Sequence, residues 1–228
     1  MSNYPLISCV CVTRNRVRML RRAVACFASQ TYPVRELVIV FESDDPETRE
    51  YVETLTSPAI RVVEARIPPR FSLGILRNLA VQCSRGYYVA QWDDDDWYAP
   101  SRLMEQVGAI RSSGRPACVL SRWLMYDTLS DTAYLSGQRM WEGSLVVERS
   151  VMPSYPDLPR GEDSVAIEAL SALNQLVALD RPDVYIYTIH SANTWHREHW
   201  LSKLRPFANP LAPDLQERVR QALSAYGE

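Results

Sequence analysis

The sequence predicts an α/β fold, with a mostly parallel β-sheet flanked by helices and a less regular second half. Short apolar or β-branched runs alternate with amphipathic helical patterns over the first hundred residues, which is typical of parallel strands joined by crossover helices. The chain has 228 residues, 46% of them hydrophobic, which is enough for a substantial core and excludes a disordered chain. No apolar run approaches the roughly 18 residues of a membrane-spanning helix, and the first residues lack a signal-peptide pattern, so we expect a cytoplasmic protein.

Four strand-and-helix units are predicted in the first half of the chain. The predicted strands are residues 7–13, 37–41, 60–63 and 87–92. Helices in the first and third connections are indicated by apolar residues three or four positions apart. These residues are Val17, Leu20, Val24 and Phe27 in the first connection and Leu73, Leu76, Ala80 and Cys83 in the third. In the second connection, Pro46 suits the first turn of a short helix.

The second half has one more such unit and a less regular remainder. Apolar residues at Leu103, Val107 and Ile110 indicate a helix that ends near Gly114, and a strand is predicted over residues 117–125. The other predicted elements are short strands at residues 145–147 and 184–189, a helix from about 163 to 173, and a last helix over 215–226. A proline-containing stretch separates this last helix from the body, so the tail could pack on the domain or mediate homo-oligomer formation.

The charge balance and the cysteines exclude several classes of protein. There are 25 Lys and Arg against 27 Asp and Glu, a formal net charge of -2, so the chain has no overall attraction for nucleic acid or anionic lipid. The five cysteines are odd in number and include no Cys-x-x-Cys pair, which indicates neither a disulfide framework nor a zinc site. We expect the cysteines to be small buried apolar residues.

Four consecutive aspartates, residues 93–96, directly follow an apolar strand and lie between Trp92 and Trp97. Two like charges about 6 Å apart repel by roughly 3 kcal/mol at an effective dielectric of about 20, so a partly buried run of this kind needs a cation or raised pKa values. Mg²⁺ and Mn²⁺ prefer such oxygen ligands, and ligands of open α/β sheets bind at the carboxyl ends of strands. The alternative is a solvated acidic turn.

Five sequence motifs follow one another in the same order as in a known enzyme family. They are Thr13-Arg14-Asn15-Arg16, Gln30-Thr31-Tyr32-Pro33 with the apolar run after it, Leu76-Arg77-Asn78, the four-Asp run with Pro100, and Gly161-Glu162-Asp163. Through these motifs the chain resembles the family 2 glycosyltransferases of the GT-A fold over residues 7–196. The resemblance implies a Rossmann-like domain over residues 1–200, with a nucleotide-binding half (1–100) and an acceptor half (101–200), followed by a tail (201–228).

The resemblance implies a nucleotide-sugar donor bound by the first half. The residues that it assigns to donor binding are Thr13, Arg14, Asn15, Glu42, Arg77, Asp93 and Asp94. Glu42 stands where the family usually has an Asp pair, so it would contact the nucleoside with a longer side chain. Arg14 stands where the family often has an aromatic residue, and it could face phosphate. Arg77 would contact the base or the diphosphate.

The resemblance also implies a metal site and a catalytic base. Asp93 and Asp95 match the family's Asp-x-Asp loop, so Asp95 would bind Mn²⁺ or Mg²⁺, with His190 as the first choice and His196 as the second choice for a further ligand. Such a metal neutralises charge that grows on the leaving nucleotide. Asp163 falls in the segment of the family's base and would take a proton from the acceptor hydroxyl, although an Asp that opens a helix can also serve as an N-cap.

The function that the resemblance implies is metal-dependent, inverting transfer of a single sugar, with a UDP-linked donor expected. The Gln-x-x-Arg-Trp segment of processive synthases is absent from the sequence. One alternative is a sugar-nucleotide pyrophosphorylase, which is disfavoured because the first connection lacks a Gly-rich phosphate loop. The other is a non-catalytic module that binds a nucleotide sugar or a cation. The acceptor stays open among saccharides, lipid-linked glycans, peptides and small molecules, with nucleic acid disfavoured by the acidic charge.

Overall fold

The computed structural model describes residues 4–66 and 71–225. The strands are β1 (Ile7–Val12), β2 (Arg35–Glu42), β3 (Ile60–Ala65), β4 (Tyr88–Gln91), β5 (Trp97–Tyr98), β6 (Ala117–Leu120), β7 (Leu124–Asp127), β8 (Thr132–Leu135), β9 (Trp141–Glu148), β10 (Leu176–Leu179), β11 (Tyr185–Ile189) and β12 (Asn209–Pro210). The helices are α1 (Val17–Ala28), α2 (Pro46–Glu53), α3 (Leu73–Cys83), α4 (Arg102–Ser113), α5 (Glu162–Ala172), α6 (Arg197–His199) and α7 (Pro213–Ser224).

The larger sheet has seven strands in the order β10-β6-β9-β4-β1-β2-β3. Its strands pair in parallel except around β9, which is antiparallel to both of its neighbours. The central strands are buried along nearly their whole length, as expected where helices cover both faces of a parallel sheet. This architecture is the mostly parallel, helix-flanked sheet that the sequence predicts.

A second sheet, with the order β12-β8-β7-β11-β5, is absent from the sequence-based expectation. The single strand predicted over residues 117–125 is wrong, because the structure divides it into β6 in the first sheet and β7 in the second. Between them the backbone changes partners. The Ser121 N–H donates to the Leu179 carbonyl at 2.9 Å, and the Trp123 N–H donates to the Ser136 hydroxyl at 3.0 Å.

Local sequence signals set several helix ends. Asp45 caps α2 by accepting the Thr48 N–H at 3.0 Å, and Pro46 occupies the first turn, as N-terminal preferences require. Gly114 ends α4 with φ +67°, and Gly161 precedes α5 with φ +75°. Both conformations are left-handed, which glycine adopts without steric cost.

The C-terminal helix α7 packs on the second sheet. Its apolar residues Val219 and Leu223 share a buried cluster with Ala133 of β8 and Ile186 of β11. The predicted helix over residues 215–226 is thus present, although its last residue lies outside the described part of the chain. Within the described residues, no helix combines the length and the apolar character needed to cross a membrane.

Candidate active site

A cleft of about 370 Å³ lies beside the carboxyl ends of β1 and β4, the edge at which open α/β sheets bind ligands. The cleft is lined by Arg16 and residues 93–95, and also by Arg77 and residues 161–164. An aromatic wall is formed by Trp123, Trp141, Tyr187 and Trp195. The acidic run and the start of α5 therefore line the same cleft.

The four aspartates do not act as one cluster, because they point toward different partners. Asp93 accepts from Arg77 at 2.9 Å. Asp94 accepts from the Thr13 hydroxyl at 2.7 Å, which joins the run to the end of β1. Asp96 turns away from the cleft. Its carboxylate accepts from the Tyr185 hydroxyl at 2.5 Å and from the Thr188 N–H at 2.9 Å, so it anchors the loop to β11.

Asp95 carries the densest set of contacts in the run. Its Oδ2 atom lies 3.1 Å from Arg16 Nη1, 3.2 Å from His190 Nε2 and 3.4 Å from Asn193 Nδ2. Its backbone carbonyl accepts from Arg22. The segment after β11 thus meets the loop after β4 at a single carboxylate oxygen.

Burial and mutual repulsion shift the pKa values of the four aspartates in different directions. Burial, aided by the neighbouring Asp95 carboxylate, raises the pKa of Asp94 to about 7. Burial likewise raises the pKa of Asp93 and raises that of Asp96 well above its ordinary value. Burial also opposes ionisation of Asp95, but the hydrogen bond with His190 and the charge of Arg16 outweigh it and lower the pKa of Asp95. Asp95 is therefore the aspartate best held as an anion.

The donor set suits a hard divalent ion whose coordination a substrate completes. Within residues 4–66 and 71–225, no group of three His, Cys, Asp or Glu side chains is arranged to hold a metal by itself. Asp95 and His190 offer one carboxylate and one imidazole, and Mg²⁺ usually takes one or two carboxylates plus water and substrate phosphate. The residues thus fit a metal that binds together with a diphosphate.

Arg77 joins the acidic run to the start of α5. This buried guanidinium lies 2.9 Å from Asp93, 3.3 Å from Glu162 and 3.6 Å from Asp163. Burial opposes its charge, but these three carboxylates raise the pKa of Arg77 above its ordinary value. Instead of facing solvent on its helix, Arg77 fixes the spacing between residue 93 and the start of α5.

The start of α5 presents two carboxylates of unequal exposure. Glu162 is 1% exposed, and its Oε2 atom has no hydrogen-bond partner among the described residues. Burial raises the pKa of Glu162, and Arg77 opposes this shift. Asp163 is more open, with 25% of its side chain exposed, and its Oδ1 atom accepts the Ser164 N–H at 2.9 Å. The Asp163 Oδ2 atom lies 3.6 Å from Arg77 Nη1, so the more open carboxylate of the two remains next to the acidic run.

The other residues assigned to the donor form a cluster beside the cleft. Arg14 donates to Glu42 and, at 2.7 Å, to Asp44. Glu42 also accepts the Phe71 N–H at 3.2 Å. Asn15 adopts φ +51° and donates its N–H to Asp45 at 2.6 Å. Arg14, Asn15 and Glu42 are thus close together, but the cleft described above does not include them.

The structure distinguishes between the two candidate histidines. Both line a smaller adjacent cavity, but His190 lies against Asp95, whereas His196 is exposed at the start of α6. Sequence reasoning placed Arg16 in the nucleotide-loop motif without predicting its contact with the acidic run, and it assigned no site role to Asn193 or Glu162. Only the fold shows that Arg16 and Asn193 contact Asp95 and that Glu162 contacts Arg77.

Comparison with protein families and curated proteins gives consistent matches. The family described as glycosyl transferase family 2 matches residues 8–145. WcaA of Escherichia coli K12, provisionally named a colanic acid biosynthesis glycosyl transferase, is 34% identical over 108 residues, which are 45% of this chain and 37% of that protein. MJ1057 of Methanocaldococcus jannaschii, an uncharacterized glycosyltransferase, is 26% identical over 124 residues, which are 54% of this chain and 42% of that protein. The chain thus spans less than half the length of either relative.

Solved structures share the fold at low sequence identity. Staphylococcus aureus TarS 1-349 in complex with UDP-GlcNAc has a TM-score of 0.68 at 15% identity, covering 82% of this chain and 60% of that one. The mannosyltransferase PcManGT from Pyrobaculum calidifontis, in complex with GDP-Man and Mn²⁺, has a TM-score of 0.61 at 18% identity, covering 82% of this chain and 57% of that one. At these identities the likeness shows the fold alone, and it confirms the predicted GT-A type of α/β fold.

Proposed function

Because the chain belongs to glycosyl transferase family 2, whose model matches more than half of it, we propose that it transfers a single sugar from a nucleoside diphosphate donor to an acceptor hydroxyl. The donor is UDP-linked, the metal is Mn²⁺ or Mg²⁺, and the anomeric configuration is inverted. One observation carries the proposal: Asp95, which contacts His190, and Asp163 line the same cleft, and Arg77 contacts both the acidic run and Asp163.

Asp95 and His190 would hold the metal together with the donor diphosphate. When bound there, the ion supplies positive charge that stabilises the departing nucleoside diphosphate. The lowered pKa of Asp95 keeps its carboxylate ionised at neutral pH, as a divalent ion requires of a carboxylate ligand. A ring nitrogen of His190 lies 3.2 Å from that carboxylate.

Asp163 acts as the general base in this proposal. Its Oδ2 atom takes the proton from the acceptor hydroxyl as the oxygen attacks the anomeric carbon. The attacking oxygen forms its bond to the anomeric carbon on the face of the sugar opposite the nucleotide, which leaves as the diphosphate, so the configuration inverts. The Ser164 N–H, 2.9 Å from Asp163 Oδ1, orients the carboxylate, and the aromatic wall offers an apolar surface beside it for an acceptor.

Two observations support the choice of donor and argue against the alternatives. The fold neighbours were solved with UDP-GlcNAc and with GDP-Man, so a nucleoside diphosphate sugar suits this fold. The family assignment disfavours a pyrophosphorylase. A binding module without catalysis would not need the half-buried Asp163 carboxylate in the cleft.

The test is release of nucleoside diphosphate from a panel of nucleotide sugars, incubated with Mn²⁺ and with candidate acceptors. We expect UDP release from UDP-sugars, and Asp163→Asn should reduce turnover by at least about a hundredfold while donor binding persists. Turnover of Asp163→Asn at the wild-type rate would contradict the assignment of the base. Formation of nucleoside triphosphate from donor and pyrophosphate would indicate the pyrophosphorylase instead.

A further inference from the structure

Arg16 places a positive charge between two of the cleft carboxylates. Its Nη1 atom lies 3.2 Å from Asp94 Oδ1 and 3.1 Å from Asp95 Oδ2. The side chain is 24% exposed, and it lines the cleft. The guanidinium therefore occupies a position between carboxylate oxygens that a metal ion would also use.

The same arginine holds the segment that follows β11. Its Nη2 atom donates to the carbonyl of Ala192. His190 and Asn193, on either side of Ala192, contact Asp95 Oδ2 at 3.2 and 3.4 Å. Arg16 and Asp95 together thus tie residues 190–193 to the acidic loop.

A divalent ion at Asp95 and the guanidinium of Arg16 cannot use the same oxygen. Asp95 Oδ2 already receives three contacts from nitrogen atoms, and a carboxylate oxygen has about two lone-pair sites. Repulsion between the two cations adds to this competition in a largely buried site. His190 can become a ligand because imidazole binds metals, whereas an always-charged arginine cannot.

We propose that Arg16 is an internal counter-cation that the incoming metal displaces from Asp95, and that the released guanidinium then binds the donor diphosphate. The inference rests on the proposed function. Displacement also removes the hydrogen bond to Ala192, so metal binding loosens residues 190–193 beside the cleft. Arginine suits both positions because its planar fork pairs equally well with carboxylate and with phosphate.

The test is calorimetric titration of Arg16→Gln with Mn²⁺ alone and then with UDP at saturating Mn²⁺. We expect Mn²⁺ alone to bind about tenfold more tightly than to the wild type, because its competitor is gone, and UDP to bind about tenfold more weakly. Arg18→Gln, an exposed position in the first turn of the helix that follows Arg16, is the matched control and should behave as the wild type. Arg16→Lys retains a cation and should fall between the wild type and Arg16→Gln.

Hydrogen exchange gives a readout that is independent of affinity. Mn²⁺ with UDP should speed exchange of the amides of residues 191–193 in the wild type, whereas Arg16→Gln should show fast exchange without metal. Unchanged or weaker Mn²⁺ binding to Arg16→Gln would overturn the counter-cation role, and unchanged UDP binding would overturn the diphosphate role. If the wild type binds no Mn²⁺ even with UDP, the proposed metal dependence fails as well, which separates the two failures.

Discussion

At the scale of single residues, Asp95 and Asp96 are neighbours with opposite surroundings. Asp95 lines the cleft and contacts His190, whereas Asp96 is buried against Tyr185 and Thr188 and takes no part in the cleft. The Asp96 carboxyl also has a pKa well above its ordinary value because of burial. Replacing the carboxyl group by a neutral amide of the same shape therefore changes the charge of the folded protein less at residue 96 than at residue 95.

We accordingly expect Asp95→Asn to weaken Mn²⁺ binding in the presence of UDP by at least about tenfold, since a ligand carboxylate is lost. Asp96→Asn should leave this affinity within about twofold of the wild type. Calorimetric titration of Mn²⁺ into each variant with UDP present measures the difference. Equal weakening in both variants would mean that the loop acts as one undivided acidic patch.

The charge of Arg77 balances several carboxylates of the cleft, so we expect its loss to destabilise the protein. It lies within 3.6 Å of three carboxylates and is 7% exposed, and removing one partner of a buried ion pair leaves the other charge uncompensated. Arg77→Met should lower the free energy of unfolding by about 3 kcal/mol or more. Arg122→Met removes an exposed pair with Asp180 and should cost less than about 1 kcal/mol. Urea unfolding of both variants checks this, and a similar small loss in each would contradict the role of Arg77.

At the scale of secondary-structure elements, helix α3 is held close to the segment that leads to α5. The Gly74 N–H donates to the Leu158 carbonyl at 3.2 Å, and a Cβ atom at Gly74 would lie 1.9 Å from the Pro156 carbonyl oxygen. Asn78 on the same helix bonds the backbone of Tyr155 through both ends of its amide. This contact positions Arg77 relative to the start of α5.

Gly74→Ala should therefore lower the free energy of unfolding by about 1–3 kcal/mol, since backbone must shift to admit one methyl group. Gly108→Ala is the control, because a Cβ atom there meets nothing within 4 Å. That variant should gain about 0.5–1 kcal/mol from helix propensity. Urea unfolding of the two alanine variants gives opposite signs if the close approach is real, and the same sign would contradict it.

The turn after β7 is joined to α6 through Asp127. Its carboxylate accepts from Ser130 and from both terminal nitrogens of Arg197, each at 2.8 Å. Burial acts to raise the pKa of Asp127, but the hydrogen bonds from Arg197 and Ser130 outweigh it and lower that pKa from 3.8 to about 2. A depressed folded-state pKa adds stability above the unfolded value of 3.8 and loses it as the pH falls toward 2.

Asp127→Asn should consequently lower the free energy of unfolding by about 2 kcal/mol at pH 7. The difference from the wild type should shrink to about half at pH 3 and nearly vanish near pH 2. Denaturant unfolding of both proteins at pH 7 and pH 3 measures it. A difference that grows on acidification would have the wrong sign for this account.

At the scale of the whole molecule, the first half was predictable and the second was not. Consecutive strand-and-helix units need only local periodicity and short connections, so the predicted strands at residues 7–13 and 37–41 match β1 and β2 closely. The second sheet brings together strands from distant parts of the chain, such as β5 and β11. Local sequence patterns carry no information about that pairing. The strand predicted over residues 117–125 therefore joined two segments that belong to different sheets.

The candidate site was likewise predictable only in part from the sequence. The residue types and the motif order pointed to Asp93, Asp95, His190 and Asp163 before any geometry was known. The directions of their side chains depend on contacts across the fold, such as that of Tyr185 with Asp96, 89 positions apart, and that of Arg16 with Asp95, 79 positions apart. Sequence spacing could not show that Arg16, which directly precedes α1, contacts the acidic loop.

The most direct measurement of the central claim is calorimetric titration of UDP into the protein with and without Mn²⁺. We predict that Mn²⁺ raises the affinity for UDP by about tenfold or more. Equal UDP affinity with and without the metal would contradict it.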